Sequence, residues 1–187
     1  MSGSIKRLIS AAAVCLMLAA TAVAQTGGGH WYKGQLHCHG PASFDFKVPG
    51  VTLDQWMLKM RDLGYDFVAL SDHGVLTDTD RFTSSTFVTI PNIEVGGNFG
   101  HYNAIGIQHP IANNPRNLQE MIDAIEAAGG IPMINHPDAP EVTSAQVLAL
   151  RPTSSTLLME ILGGWSSAVW VNYWEGVLAG GRQIFST

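Results

Sequence analysis

The chain has 187 residues, 46% of them hydrophobic and 13% charged, and a formal net charge of −5. That balance supplies a sizeable core and excludes a disordered chain. It also excludes a basic face of the kind that binds nucleic acid non-specifically.

Residues 1–24 read as a secretory signal peptide. Lys6 and Arg7 form a basic start, residues 8–20 are apolar and alanine-rich, and Ala22-Val23-Ala24 is a small-x-small cleavage site. The apolar run falls short of the ~20 residues a membrane-spanning helix needs. Cleavage would leave eight basic side chains against fifteen acidic ones, a charge of −7, with Cys38 the single cysteine. No intrachain disulfide is then expected, even in an oxidising compartment, and Cys38 reads as a small buried apolar residue. The expected location is periplasmic or secreted, with no membrane contact after cleavage. Residues 25–33 read as a flexible lead-in and residues 34–187 as one domain.

The first strand ends in Gly34-Gln35-Leu36-His37-Cys38-His39-Gly40. Strand alternation puts His37 and His39 on one face and Cys38 on the other, so the two imidazoles can share a metal ion. Thr52-Leu53-Asp54-Gln55 has the form of a capping box. Leu53, Trp56, Met57, Met60 and Leu63 follow at helical spacing, and Gly64 stops the helix. Residues 67–70 are a short apolar strand ending in Ser71-Asp72-His73-Gly74. Residues 87–95 read as the next strand, interrupted by Pro91-Asn92, and the run from His101 to Ile107 returns after a glycine-rich turn as a hairpin partner. Asn114-Pro115 is expected to start a helix with Leu118, Met121, Ile122 and Ile125 on one face, ended by Gly129-Gly130. Residues 131–134 form a strand ending in Asn135-His136-Pro137-Asp138. Thr143 to Gln146 is a second capping box opening a short helix to Leu150. Residues 157–162 read as a strand, 169–179 as a helix, and 183–185 as the start of a last strand. The alternation predicts an α/β fold with mainly parallel strands.

Polar residues collect at the ends of these strands: His37 and His39, Asp72 and His73, Glu94, His101 on the return strand, and His136. In parallel α/β folds that edge is where sites are built. His30 and His109 lie elsewhere and read as ordinary surface residues. Imidazole and carboxylate donors together suit zinc, manganese or iron better than calcium or magnesium.

The ordered motifs H-x-H, S-D-H, "IPNIEV", "GHYNAIGI" and "GGIPMINHPD" resemble those of the PHP (polymerase and histidinol phosphatase) metal-dependent phosphoesterases. The resemblance runs from Gly34 to the end of the chain. It implies a distorted (β/α)7 TIM-like barrel, incomplete at the C-terminus, two or three divalent metal ions, and hydrolysis of phosphate mono- or diesters by a metal-bridging hydroxide. Carried over residue by residue, it implies that His37 and His39 hold one metal and that Glu94 bridges it to a second held by His101 and His136. A third would fall to His73, with Asp45 as a further ligand. Asp72 would ligate or orient His73, so that Glu94, His73 and Asp72 carry the reaction. A small-molecule phosphate ester is the implied partner. Arg81 and Arg116 are candidate phosphate contacts, though each also reads as a solvated loop residue.

The family's late Asp-x-His pair has no counterpart: no Asp or His follows Glu175. The reading is therefore of a C-terminally truncated domain, poor in activity by itself. Two other functions fit parts of the pattern. A metal-dependent amidohydrolase also opens on H-x-H, but usually adds a late strand-end lysine, a position that none of Lys33, Lys47 and Lys59 occupies. A secreted binding module could keep the scaffold without catalysis.

Overall fold

The computed structural model describes residues 29–97, 99–111, 115–137, 142–151, 156–162 and 167–187. The expected signal peptide, most of the lead-in, and Asn114 and Asp138 lie outside the described residues. The chain divides into two compact units, Met1–Tyr32 and Lys33–Thr187, and every described strand and helix belongs to the second. Among the described residues no helix is long and apolar enough to cross a membrane.

Two sheets make up the described part of this unit. The first holds β1 (Gly34–Cys38), β2 (Phe67–Leu70) and β3 (Val88–Thr89), all parallel. The second holds β4 (Glu94–Gly97), β5 (Gly100–Ile105), β6 (Ile131–Ile134), β7 (Leu158–Met159) and β8 (Phe185–Ser186), in that order. Here β4–β5 and β5–β6 are antiparallel, and β6–β7 and β7–β8 are parallel. Four helices accompany the sheets among the described residues: α1 (Leu53–Asp62), α2 (Leu118–Ala127), α3 (Ser144–Leu148) and α4 (Ser167–Ala179).

This arrangement overturns the expected (β/α)7 TIM-like barrel. A barrel of that kind needs each strand followed by a helix and paired in parallel with the next. Instead β3 passes to β4 without a helix, across Pro91-Asn92. Proline cannot donate to a strand ladder, so one expected strand becomes two short ones in different sheets. The tight return from β4 to β5 then sets an antiparallel pair where a barrel needs a crossover. The sheets meet at a parallel bridge between His73 and Glu94. Two buried amides help join the strands. Asn92 donates to the carbonyls of Leu36 and Ala69 at 3.1 and 3.2 Å, and Asn103 donates to that of Leu36 at 2.7 Å.

Local signals set the helix starts. In α1 the Thr52 hydroxyl accepts from the Gln55 N–H while the Gln55 side chain takes the Thr52 N–H, closing the expected capping box. Thr143 and Gln146 do the same for α3. Helix α2 begins at Leu118, later than expected, because the Asn117 side chain accepts the Glu120 N–H and caps it there. At the end of α1, Gly64 takes φ 75°, the conformation that ends helices without a Cβ penalty.

The larger core buries Leu118, Met121, Ile122 and Ile125 of α2 with Tyr102, Ala104, Ile134 and Met159 of the second sheet. A smaller one places Met57 and Met60 of α1 against Val68 and Phe87, with Cys38 packed on it. Cys38 thus points into this core, away from the imidazoles, and burial pushes its thiol up to about 12. Ile122 is fully buried at the centre of the larger core. Ile122→Ala should cost about 2–5 kcal/mol, read as a lowered urea midpoint with an unchanged slope. A loss below about 1 kcal/mol would mean that this core collapses around the gap.

Candidate metal centre

Glu94 opens β4, and its carboxylate is fully shielded from solvent. Five imidazoles from five places in the chain converge on it. On one side, Oε2 lies 3.3 Å from His37 Nε2, 2.8 Å from His39 Nε2 and 3.3 Å from His73 Nδ1. On the other, Oε1 lies 3.2 Å from His101 Nδ1 and 3.3 Å from His136 Nε2 and accepts from Asn135 Nδ2 at 2.9 Å. The two carboxylate oxygens therefore face two separate sets of nitrogens.

The chain reaches this geometry by simple means. His37 sits in β1 and His39 just past its end, with ring centroids 5.5 Å apart. The hairpin register sets Gly96 opposite His101. A Cβ on Gly96 would lie 2.7 Å from the His101 ring, so only glycine leaves room for that imidazole. His136 follows β6 with φ 25°, in the left-handed region that side chains other than glycine rarely adopt. Its N–H donates to Glu160 at 2.8 Å, which holds the strained residue in place.

Two further carboxylates stand behind the histidines. Asp45 lies 2.9 and 3.0 Å from His39 Nδ1, takes the Ser43 hydroxyl at 2.6 Å, and is 3.5 Å from His73 Nε2. Glu160 lies 3.2 Å from His37 Nδ1. His39 is thus strung between Glu94 and Asp45, and His37 between Glu94 and Glu160. Each carboxylate fixes the tautomer and direction of the ring in front of it, the usual way metal-binding histidines are oriented. Asp72 behaves differently. It is completely buried, but its carboxylate takes the Gly40 N–H at 2.5 Å and the Thr77 hydroxyl. It anchors the loop after β1 rather than His73.

Sequence reasoning missed Glu160 and Asn135. Both stand directly after strands, β7 and β6, under the same strand-end rule that found the histidines. Residues 157–162 read as one strand, which hid Glu160 inside it; the structure ends β7 at Met159. Glu160→Gln should loosen His37 and lower metal affinity by about 10- to 100-fold, the range for carboxylates behind a ligand. A competition titration with a chelating dye would read it, and unchanged affinity would leave Glu160 a purely structural role.

Electrostatics follow from crowding. Burial alone would raise the Glu94 carboxyl, but His101, His136, His37 and His39 outweigh it and hold it far below the usual range. Burial disfavours a charged His37, yet Glu160 and Glu94 overcome this and raise it to about 9. His39 is raised chiefly by its bond to Glu94, whereas burial lowers His73. Arg81 and Arg116 pair with Asp54 and Glu120 at 2.8 and 2.7 Å in exposed positions. No arginine or lysine contact to Glu94 accompanies the imidazoles among the described residues. His30 meets Tyr32 edge to face, and His109 contacts the Pro110 carbonyl in an exposed loop.

The donor set fits a metal. His37, Glu94 and His136 can bring ligand atoms within 4.8 Å of one another, as can His39, His73 and Glu94. Glu94 belongs to both trios, and Asp45 and His101 to neither.

The fold has a counterpart among solved structures. The chain is similar to a two-domain protein from Bacteroides vulgatus containing a predicted PHP-like metal-dependent phosphoesterase. The match has a TM-score of 0.53 and 14% sequence identity, and covers 82% of this chain and 50% of that one. The chain thus spans about half the length of the structure it matches, and the likeness is one of fold. No family model matches the sequence, and no curated protein does.

Proposed function

We propose that this chain carries the metal centre of an exported phosphoesterase that hydrolyses small phosphate mono- or diesters with divalent cations. The observation that carries this reading is the fully buried Glu94 carboxylate, with separate histidine sets on its two oxygens. A buried carboxylate costs several kcal/mol unless charge of opposite sign stands beside it. In the metal-free protein a protonated His37 supplies part of that charge, and cations shared through Glu94 would supply it in full once that proton is displaced. Divalent ions lower the pKa of water and neutralise charge on phosphoryl oxygens. His39 and His73 would hold one ion with Glu94, and His37 and His136 the other, with His101 standing beside Oε1. Asp45 and Glu160 would keep His39 and His37 aimed inward, and Asn135 would hold Oε1.

The Bacteroides vulgatus neighbour supports the reaction class through fold alone. Zinc, manganese or iron is preferred on the donor types, and two ions on the two trios that share Glu94. Export rests on residues 1–24. The test is elemental analysis of purified protein combined with phosphate release from glycerol phosphate and phenyl phosphate, before and after chelation. Bound divalent metal with chelator-sensitive release is the expected result. Metal-free protein of full activity would end the reading.

A further inference from the structure

A cavity of about 450 Å³ adjoins the candidate metal centre. His73, Glu94 and His101 form its inner wall. Its remaining sides are largely apolar, with Phe44, Val95, Ile111, Pro115 and Met121. Among its described lining residues there is no lysine or arginine. A sugar or polyol would leave its hydroxyls unpaired against such walls. Phe44 is the telling residue. It is 84% exposed, although a phenyl ring gains by burial. Its ring lies on that of His73 at 4.9 Å and 26°, a stacked pair. An exposed aromatic ring that lines the cavity and stacks by one face on a site histidine offers its other face to a second ring.

We propose that this cavity is the subsite for the non-phosphate portion of the substrate, and that it selects a flat aromatic group, stacked on Phe44, over a polyol or sugar. The phosphoryl end would point to the Glu94 cluster and the ring outward along Phe44 and Ile111. The inference rests on the phosphoesterase reading for its substrate, but the binding preference is separable from it.

The experiment measures calorimetric binding of phenylphosphonate and methylphosphonate to the manganese-loaded protein. The two share a headgroup and resist hydrolysis. Phenylphosphonate should bind about tenfold more tightly, as expected for one stacked and buried ring. Phe44→Ala should remove most of that preference and Phe44→Tyr should keep it; at so exposed a position neither change threatens the fold. Equal affinities, no binding of either compound, or a preference unchanged in Phe44→Ala would overturn the proposal. A preserved preference without hydrolysis of phenyl phosphate would instead sink the phosphoesterase reading and leave the subsite standing.

Discussion

Replacing Glu94 with Gln should empty the metal centre and lower phosphate release by more than about a hundredfold. The change keeps the shape of the side chain and removes the charge. One carboxylate oxygen becomes an amide N–H₂, which cannot bind a cation and points a donor at imidazole nitrogens. Either half of the cluster would lose by this, since Oε1 and Oε2 each face their own histidines. Carboxylates one shell further out cost about 10- to 100-fold when removed, so a shared ligand should exceed that range. Arg81→Ala and Arg116→Ala make the fitting controls. Both arginines pair with surface carboxylates, and exposed pairs contribute about 0–1 kcal/mol. Both variants should keep near-normal rates. Metal per chain and initial rate are the two readouts. Wild-type values of both in Glu94→Gln would remove the bridging role.

Metal affinity should rise steeply with pH well above neutrality. An ordinary histidine has released its proton above pH ~6.5, so binding to it would level off there. His37 is raised to about 9, and a cation must displace its proton at any lower pH. Affinity should therefore climb about tenfold per pH unit between pH ~7 and ~9, and flatten beyond. The metal-free protein should show the opposite trend. His37 is raised, so its contribution to stability is complete below its ordinary value of 6.5 and is lost as pH rises through about 9. Glu94 is lowered, so its contribution is present above its ordinary value of 4.5 and fades as pH falls below it. The metal-free form should thus melt highest in mildly acidic buffer and the loaded form in mildly basic buffer. Titration calorimetry and thermal melts across that range would check both. Affinity that is flat from pH ~7 upward would mean that His37 is neutral in the free protein.

Much of the site was legible in the sequence because its signals are local. Alternation along β1 separated His37 and His39 from Cys38, and the structure packs Cys38 into the smaller core. The hairpin reading brought His101 back toward Glu94, and Nδ1 lies 3.2 Å from it. Both capping boxes stand where Thr52 and Thr143 placed them. What failed depends on partners distant in sequence. Apolar runs such as residues 131–134 and 157–159 do not state which neighbour they pair with or in which direction, so one parallel and one mixed sheet read as mainly parallel strands, and the barrel implied by the resemblance stood uncorrected. The strand ending at Met159 was too short to delimit by pattern, and Glu160 was lost with its boundary. The resemblance implied that Asp72 ligates or orients His73. Its carboxylate turns instead to Gly40 and Thr77, a choice made by the fold around it. Leu63, in register with the buried face of α1, is 49% exposed because it caps the helix rather than extending its packed face.

The most direct test of the central claim is anomalous diffraction from crystals grown with manganese or zinc, recorded at the absorption edge of the metal. Two peaks should flank Glu94, each about 2.0–2.2 Å from one of its oxygens. One should have His39 and His73 as nitrogen neighbours, and the other His37 and His136. Crystals without anomalous density at Glu94, with imidazole nitrogens still resting on its oxygens at hydrogen-bond distance, would show that protons rather than metals hold this cluster together.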